Sequence, residues 1–399
     1  MKSLSLKTQQ LEQSQTLAFT ALARQLRESG ADVVSLTAGE PDFPTPMHIK
    51  MAAIRAIDEN FTHYTPNDGI PELIAAIRQK FERDNNLHFD ASQILVSCGA
   101  KHSVYNALQA ICNKGDEVVI TAPYWVSFPE IAKLVDAKPV IIPTTEETTF
   151  KITALQLRKA INQHTKAFIF NSPGNPTGTV YTQGEIEELA DVISETGIYV
   201  IADEIYEKVV YESAKHFSIG SINEIKENVI TVNGVSKAFA MTGWRIGYLG
   251  ATKAIASAAA KVQSQVTSNA SSISQKAAVA ALCGPQNDLA DMVKEFQRRR
   301  DFMLEYLSKI PDLQLTAPQG AFYLFPSVKH VAGKRLDGKL IKDELDVCQF
   351  FLNEEHLALV PGSAFGAKNY VRLSYAASMK ELEEAVKRLQ SGFRKLSQG

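Results

Sequence analysis

Ile198-Tyr199-Val200-Ile201-Ala202-Asp203-Glu204-Ile205-Tyr206 is the stretch from which the fold is read. An apolar, largely β-branched run ends in a carboxylate, and a phenol follows within the next turn. A run without polar alternation suits a strand covered on both faces, as strands are in a largely parallel sheet flanked by helices. Upstream, Thr182 and Glu185 are spaced for a capping box, Ile186, Leu189, Ala190 and Ile193 share one helical face, and Gly197 supplies a stop. Downstream, Asn228 to Val232 repeats the apolar run and leads into Asn233-Gly234-Val235-Ser236-Lys237.

The same alternation extends outward in both directions. Ile94 to Ser97, Glu117 to Thr121, Pro139 to Ile142, Ala167 to Phe170 and Ile246 to Leu249 read as further strands, which predicts an α/β fold with a mostly parallel seven-stranded sheet. Past about residue 285 the pattern changes. A long helix around Met292 to Leu307, a strand-like Ala321 to Phe325 and a last helix capped by Ser378 and Glu381 form a second, α+β lobe. Leu382, Val386 and Leu389 make the core-facing stripe of that last helix. Arg298-Arg299-Arg300, with Glu295 and Asp301 beside it, reads as a polar helix flank.

Composition excludes several classes of function. The 399 residues are 45% hydrophobic and 22% charged, the proportions of an ordinary globular chain. With 42 basic and 44 acidic residues the net charge is −2, so no long-range field favours nucleic acid or an anionic membrane, and neither partner is expected. Cys98, Cys112, Cys283 and Cys348 lack C-x-x-C spacing, which argues against a metal or disulfide framework and for small buried side chains. The N-terminal segment has no secretory apolar core, being broken by Gln9, Gln10, Glu12 and Gln15. A cytoplasmic protein acting on small molecules is the expectation.

Ligands of open α/β sheets collect beyond the carboxyl ends of the strands, so the residues after each run carry the chemistry. Cys98-Gly99-Ala100-Lys101 is a small-residue turn entering a helix, where free N–H groups suit a phosphate, although such a turn alone is more often only a turn. Asp203 ends a buried strand and needs a cation. Lys237 sits among small and apolar residues, where desolvation makes an amine nucleophilic, whereas a loop lysine is otherwise most simply a snorkelling one. Together with Arg245, these residues match the needs of a phosphorylated aldehyde with a basic ring nitrogen, pyridoxal 5′-phosphate.

Ser172-Pro173-Gly174-Asn175-Pro176-Thr177-Gly178, Ala202-Asp203-Glu204-Ile205-Tyr206 and Ser236-Lys237-Ala238-Phe239-Ala240-Met241-Thr242-Gly243-Trp244-Arg245 resemble class I aminotransferases of the fold type I pyridoxal enzyme architecture. Leu36-Thr37-Ala38-Gly39-Glu40-Pro41-Asp42-Phe43 and Val371-Arg372-Leu373-Ser374-Tyr375-Ala376 extend the resemblance over essentially the whole chain. It implies a division into an N-terminal segment 1–45 that joins the small domain, a large cofactor-binding domain 46–285 and a small domain 286–399.

The resemblance further implies that Lys237 joins the cofactor's aldehyde and serves as the base, and that Asp203 pairs with the pyridine nitrogen. Tyr206 and Asn175 would bond the ring oxygen, Trp125 would stack on the ring, and Arg245 with Gly99, Ala100 and Lys101 would surround the phosphate. Tyr64 would reach the phosphate of a neighbouring subunit in a homodimer. Arg372 and Gly39 would hold the substrate α-carboxylate, with Trp125 and Asn175 also facing the substrate. Many members carry serine where Gly234 stands, which puts that phosphate contact in doubt.

Pro123-Tyr124-Trp125-Val126-Ser127-Phe128 and Gly99-Ala100-Lys101 resemble the prokaryotic aspartate aminotransferase subgroup, in which a lysine matching Lys101 meets the distal carboxylate. Aspartate with 2-oxoglutarate is the expected pair, giving oxaloacetate and glutamate. An aromatic amino acid, prephenate or a broader range of partners remains an alternative, and a C–S lyase on the same fold a further one. A DNA-binding regulator is disfavoured, since Met1 to Leu36 is too short for a helix-turn-helix domain.

Overall fold

The computed structural model describes residues 3–398, apart from 14, 213, 312 and 337–338. Its central sheet contains β1 (Ile94–Ser97), β2 (Glu117–Ala122), β3 (Lys138–Pro143), β4 (Thr165–Asn171), β5 (Tyr199–Asp203), β6 (Val229–Gly234) and β7 (Gly247–Gly250). They lie in the order β1-β7-β6-β5-β4-β2-β3. Only β7 runs against its neighbours, β1 and β6; the other pairings are parallel. The seven apolar runs of the sequence are these strands, with ends shifted by a residue or two.

Helices cover both faces, which is why the strands need no polar alternation. On one face Leu95, Val118, Ile120, Ile201 and Ile230 pack with Val104 and Leu108 of a helix at Ala100–Ile111. On the other, Val119, Phe168, Phe170 and Val200 meet Ile186, Leu189 and Ile193 of a helix at Gln183–Thr196. That second helix starts as its sequence requires: Thr182 Oγ1 accepts from the Glu185 N–H, Glu185 Oε2 accepts from the Thr182 N–H at 2.7 Å, and Gly197 ends it at φ +68°.

A second, antiparallel sheet is made of β8 (Tyr323–Leu324), β9 (Val360–Pro361) and β10 (Val371–Ser374), with β10 in the middle. The helices Asn287–Leu307 and Met379–Gln398 pack beside it through Phe296, Met303, Leu382, Val386 and Leu389. Ser378 and Glu381 cap the latter helix reciprocally, as their spacing predicts. Phe19, Val34 and Leu36 enter the same core, and Val34–Ser35 pairs in parallel with Leu357–Ala358. Lys7 reaches the other way, to the Leu134 carbonyl and the Asp136 carboxylate. Among the described residues no helix is long and apolar enough to cross a membrane.

Three expectations need correction. The β3 run is not covered on both faces: it is the sheet's edge, and Ile141 remains 39% exposed. Arg298-Arg299-Arg300 is not simply a polar flank. Consecutive helical residues are about 100° apart, so three of them cannot share one face, and Arg299 and Arg300 turn inward. Arg299 pairs with Asp42 and Glu295, and Arg300 with Glu212 and Asp301. Cys283, expected to be buried, is exposed at the last residue of its helix, whereas Cys112 and Cys348 are buried.

Behind β5 lies a buried polar cluster. Lys80 Nζ, on the helix Pro71–Asn85, is 2.5 Å from Glu207, while Asn85 donates to Glu207 at 2.6 Å and to Glu204 at 3.0 Å. Ser218 donates to Glu204, and His216 Nε2 lies 3.2 Å from it. Glu204, Glu207 and His216 are close enough together to hold a cation. Lys80 already supplies the positive charge there, so the cluster is closed by the protein's own residues. Lys80→Ala would strand a buried carboxylate and should cost about 3–5 kcal/mol in urea unfolding. A loss under ~1 kcal/mol, the scale of an exposed pair, would refute this.

Candidate active site

A cavity of about 690 Å³ opens beyond the carboxyl ends of β4 and β5. Sheet register sets its floor, because Asn171 and Asp203 are partners across β4 and β5. Asn171 spans two segments of the site: its Nδ2 donates to the Asp203 carbonyl at 2.8 Å and its Oδ1 accepts from the Asn175 N–H at 3.1 Å. Asp203 is buried and accepts one N–H, from Ile205 at 3.2 Å. Burial pushes its pKa up to about 7, with the Glu204 charge adding and the Ile205 N–H and Lys237 opposing. It is a carboxyl that a cationic or proton-bearing partner would keep ionised.

Lys237 follows β6 and lines the same cavity, its Nζ donating to the Gly39 carbonyl at 2.5 Å. By surface area the residue is only half-buried, because the cavity reaches it, yet protein encloses the amine on its other sides. Desolvation is the largest influence and pulls its pKa down to about 8; Arg372 and Arg245 add to this, Glu40 and Asp203 resist. The amine stands 5.8 Å from the centre of the Tyr206 ring.

The phosphate-like end of the cavity depends on close backbone approach. Gly99 precedes the helix Ala100–Ile111 at φ +88°, and a Cβ there would come within 2.4 Å of Arg245 Nη2. Helix N–H groups and a guanidinium therefore converge on one point, the arrangement an anion requires. Arg245 is exposed there and anchored by donation to the Thr242 carbonyl at 2.9 Å. Gly234 leaves no room for a serine without movement, since its Cβ would lie 2.9 Å from the Ile246 carbonyl oxygen.

Arg372, on β10, enters from the second sheet. It is buried, donating to Asn175 Oδ1 at 3.1 Å and to the Thr37 carbonyl at 2.8 Å. Its guanidinium lies between the rings of Tyr323, at 4.5 Å, and Phe365, at 4.8 Å. Its Nε has no hydrogen-bond partner, and no carboxylate among the described residues pairs with it. Burial lowers its pKa. A guanidinium held this way is a ready receptor for a carboxylate.

Lys101 stands at the rim with Nζ 4.9 Å from the Trp125 ring centre; partial burial lowers its pKa, and the Arg245 charge adds to the effect. Gly39, Ala100, Lys101, Trp125, Asn175, Asp203, Tyr206, Lys237, Arg245 and Arg372 all line the cavity. Gly99 lies against it through Arg245. Tyr64 does not line its own chain's cavity and is 93% exposed. Sequence reasoning missed Asn171, Thr37, Glu40 and Tyr323. Asn171 carried a usable signal, a polar residue directly ending an apolar run; Tyr323 carried none, lying inside one.

The model of the family described as aminotransferase class I and II matches residues 31–389. This chain belongs to that family. It is 47% identical over 380 residues to the aspartate aminotransferase of Bacillus sp. (strain YM-2), covering 95% of this chain and 96% of the relative. A probable aspartate/prephenate aminotransferase of Rickettsia bellii (strain RML369-C) is 43% identical over 98% of both chains. The crystal structure of the Rhizobium meliloti aspartate aminotransferase superposes with a TM-score of 0.96, at 41% identity, covering 99% of this chain and 100% of that one. The architecture of this aminotransferase is thus that of fold type I.

The lysine environment makes a direct prediction. In the protein free of cofactor, modification of Lys237 by an amine-directed reagent, followed by peptide mass spectrometry, should reach half its limiting rate at about pH 8. The neutral amine is the reactive form, so a lowered pKa moves the rise to lower pH. A midpoint near the ordinary value of about 10.4 would contradict the desolvation.

Proposed function

We propose that this aminotransferase binds pyridoxal 5′-phosphate and transfers the amino group of L-aspartate to 2-oxoglutarate, giving oxaloacetate and glutamate. The observation that carries the reading is Arg372: a buried guanidinium facing the cavity, with no carboxylate partner among the described residues, across from a desolvated amine. The residues fit the cofactor. Gly99, Ala100 and Arg245 would take the phosphate, Asp203 the ring nitrogen, Tyr206 and Asn175 the ring oxygen, Trp125 one ring face, and Lys237 the aldehyde.

Bound there, the cofactor supplies an electron-accepting ring next to the substrate Cα. The protein does the remainder. Arg372, with the Gly39 N–H, fixes the α-carboxylate and so orients the Cα–H bond toward the lysine side of the cavity. Lys237, its pKa lowered to about 8 by burial, takes and returns the proton at Cα. Asp203, buried and short of donors, holds a proton on the nitrogen opposite it. Lys101 meets the distal carboxylate, which would otherwise lie unpaired in the pocket. The named relatives support aspartate, and the Rickettsia relative favours prephenate as a further partner.

The proposal includes the division at residues 45 and 285, and a homodimer in which the exposed Tyr64 reaches the partner's phosphate site. A cytoplasmic setting suits four cysteines that are all free.

Half-reactions with a panel of amino acids, followed by the cofactor's absorbance, test the function. Lys237→Ala should abolish the change in every case. Arg372→Ala should raise KM for all amino acids by roughly 100-fold or more, the scale of a lost charged, two-pronged contact. Lys101→Ala should impair aspartate and glutamate at least tenfold more than alanine or phenylalanine, which have no distal carboxylate for it to meet. Equal losses would remove Lys101 from the distal-carboxylate role, and a wild type that takes up no pyridoxal phosphate would overturn the reading.

A further inference from the structure

Tyr323 lies on β8, wholly buried, inside an apolar run that gives no sign of chemistry. Its hydroxyl is 2.8 Å from that of Tyr206, and its ring carries the Arg372 guanidinium at 4.5 Å. It therefore touches both the phenol assigned to the cofactor's ring oxygen and the arginine assigned to the substrate. Within the protein the two hydroxyls are each other's hydrogen-bond partners. A pair of hydroxyls in this position has two settings, since either can donate. An anionic oxygen on the cavity side decides between them: Tyr206 must donate outward to it, so its oxygen must accept from Tyr323.

We propose that Tyr323 is a positioning residue that fixes the direction of the Tyr206 hydroxyl, so that Tyr206 donates into the cavity. The inference rests on the cofactor reading above and assigns Tyr323 no contact with the reacting atoms. Donation from Tyr323 polarises the Tyr206 O–H and makes it the stronger donor. A stronger donor favours negative charge on the ring oxygen, and so lowers the proton affinity of the nitrogen that shares that charge. Two features agree with a fixed pair. Both phenols are held protonated, Tyr206 well above its usual pKa through burial and then the adjacent Tyr323, and Tyr323 through burial. Edge-on packing against Phe322 also holds the Tyr206 ring in place.

The test uses the holoprotein of wild type, Tyr323→Phe, Tyr206→Phe and the double variant, reading the pH midpoint of the cofactor's absorbance change and the Kd of the apoprotein for pyridoxal phosphate. Tyr323→Phe keeps the ring beneath Arg372, so KM for aspartate should stay within about twofold, whereas the midpoint should rise and the Kd weaken by roughly two- to tenfold, the effect of one hydrogen bond. In the Tyr206→Phe background the same change should do nothing further, because the only route of its action is gone. An unchanged midpoint and Kd in Tyr323→Phe, or full additivity in the double variant, would overturn the inference while leaving the cofactor reading intact. A wild type that binds no pyridoxal phosphate would instead remove the reading on which it stands.

Discussion

Three ionisable side chains share one cavity without neutralising one another: the Lys237 amine, the Asp203 carboxyl and the Arg372 guanidinium. Each is shifted toward its neutral form by loss of water, and none forms an ion pair among the described residues. Holding unpaired charge out of water is costly, and other buried charges, such as Lys80 with Glu207 and Arg299 with Asp42, are closed into pairs. The site is the exception, and the missing partners define its ligand: a proton-bearing nitrogen for the aspartate, a carbonyl carbon for the amine and a carboxylate for the arginine.

The surrounding architecture makes that exception affordable. Lys80, Asn85, His216 and Ser218 satisfy Glu204 and Glu207 immediately behind the strand that ends in Asp203. Asn171 ties the ends of neighbouring strands together, and the Glu204 N–H donates to the Val232 carbonyl. The end of β5 is thus fixed by the strands on either side of it. On the other wall, Arg299 and Arg300 lock the helix Asn287–Leu307 to Asp42, which lines the cavity, and to Glu212. These buried pairs contribute placement more than net stability, since an ion pair out of water gains little over an apolar one.

Most of the framework was legible in the sequence because its signals are local. Seven apolar runs named the strands of the main sheet, and two capping boxes named helix starts, since both depend on residues a few positions apart. The β3 run misled only in burial: an apolar strand reads the same at the edge of a sheet as at its centre. The triple arginine misled because charge along a sequence says nothing about which side of a helix finds carboxylates.

By itself the sequence determined the elements, the polar residues that end them and, through motifs spread from Gly39 to Arg372, the family. Only the tertiary structure decided that Arg372 has no carboxylate partner among the described residues, that Thr37 and Asn175 orient it, and that Tyr323 joins it to Tyr206. The physical reason is distance along the chain. Hydrophobic period and capping act over a few residues, while a hydrogen bond between positions 117 residues apart exists only when packing brings two sheets together.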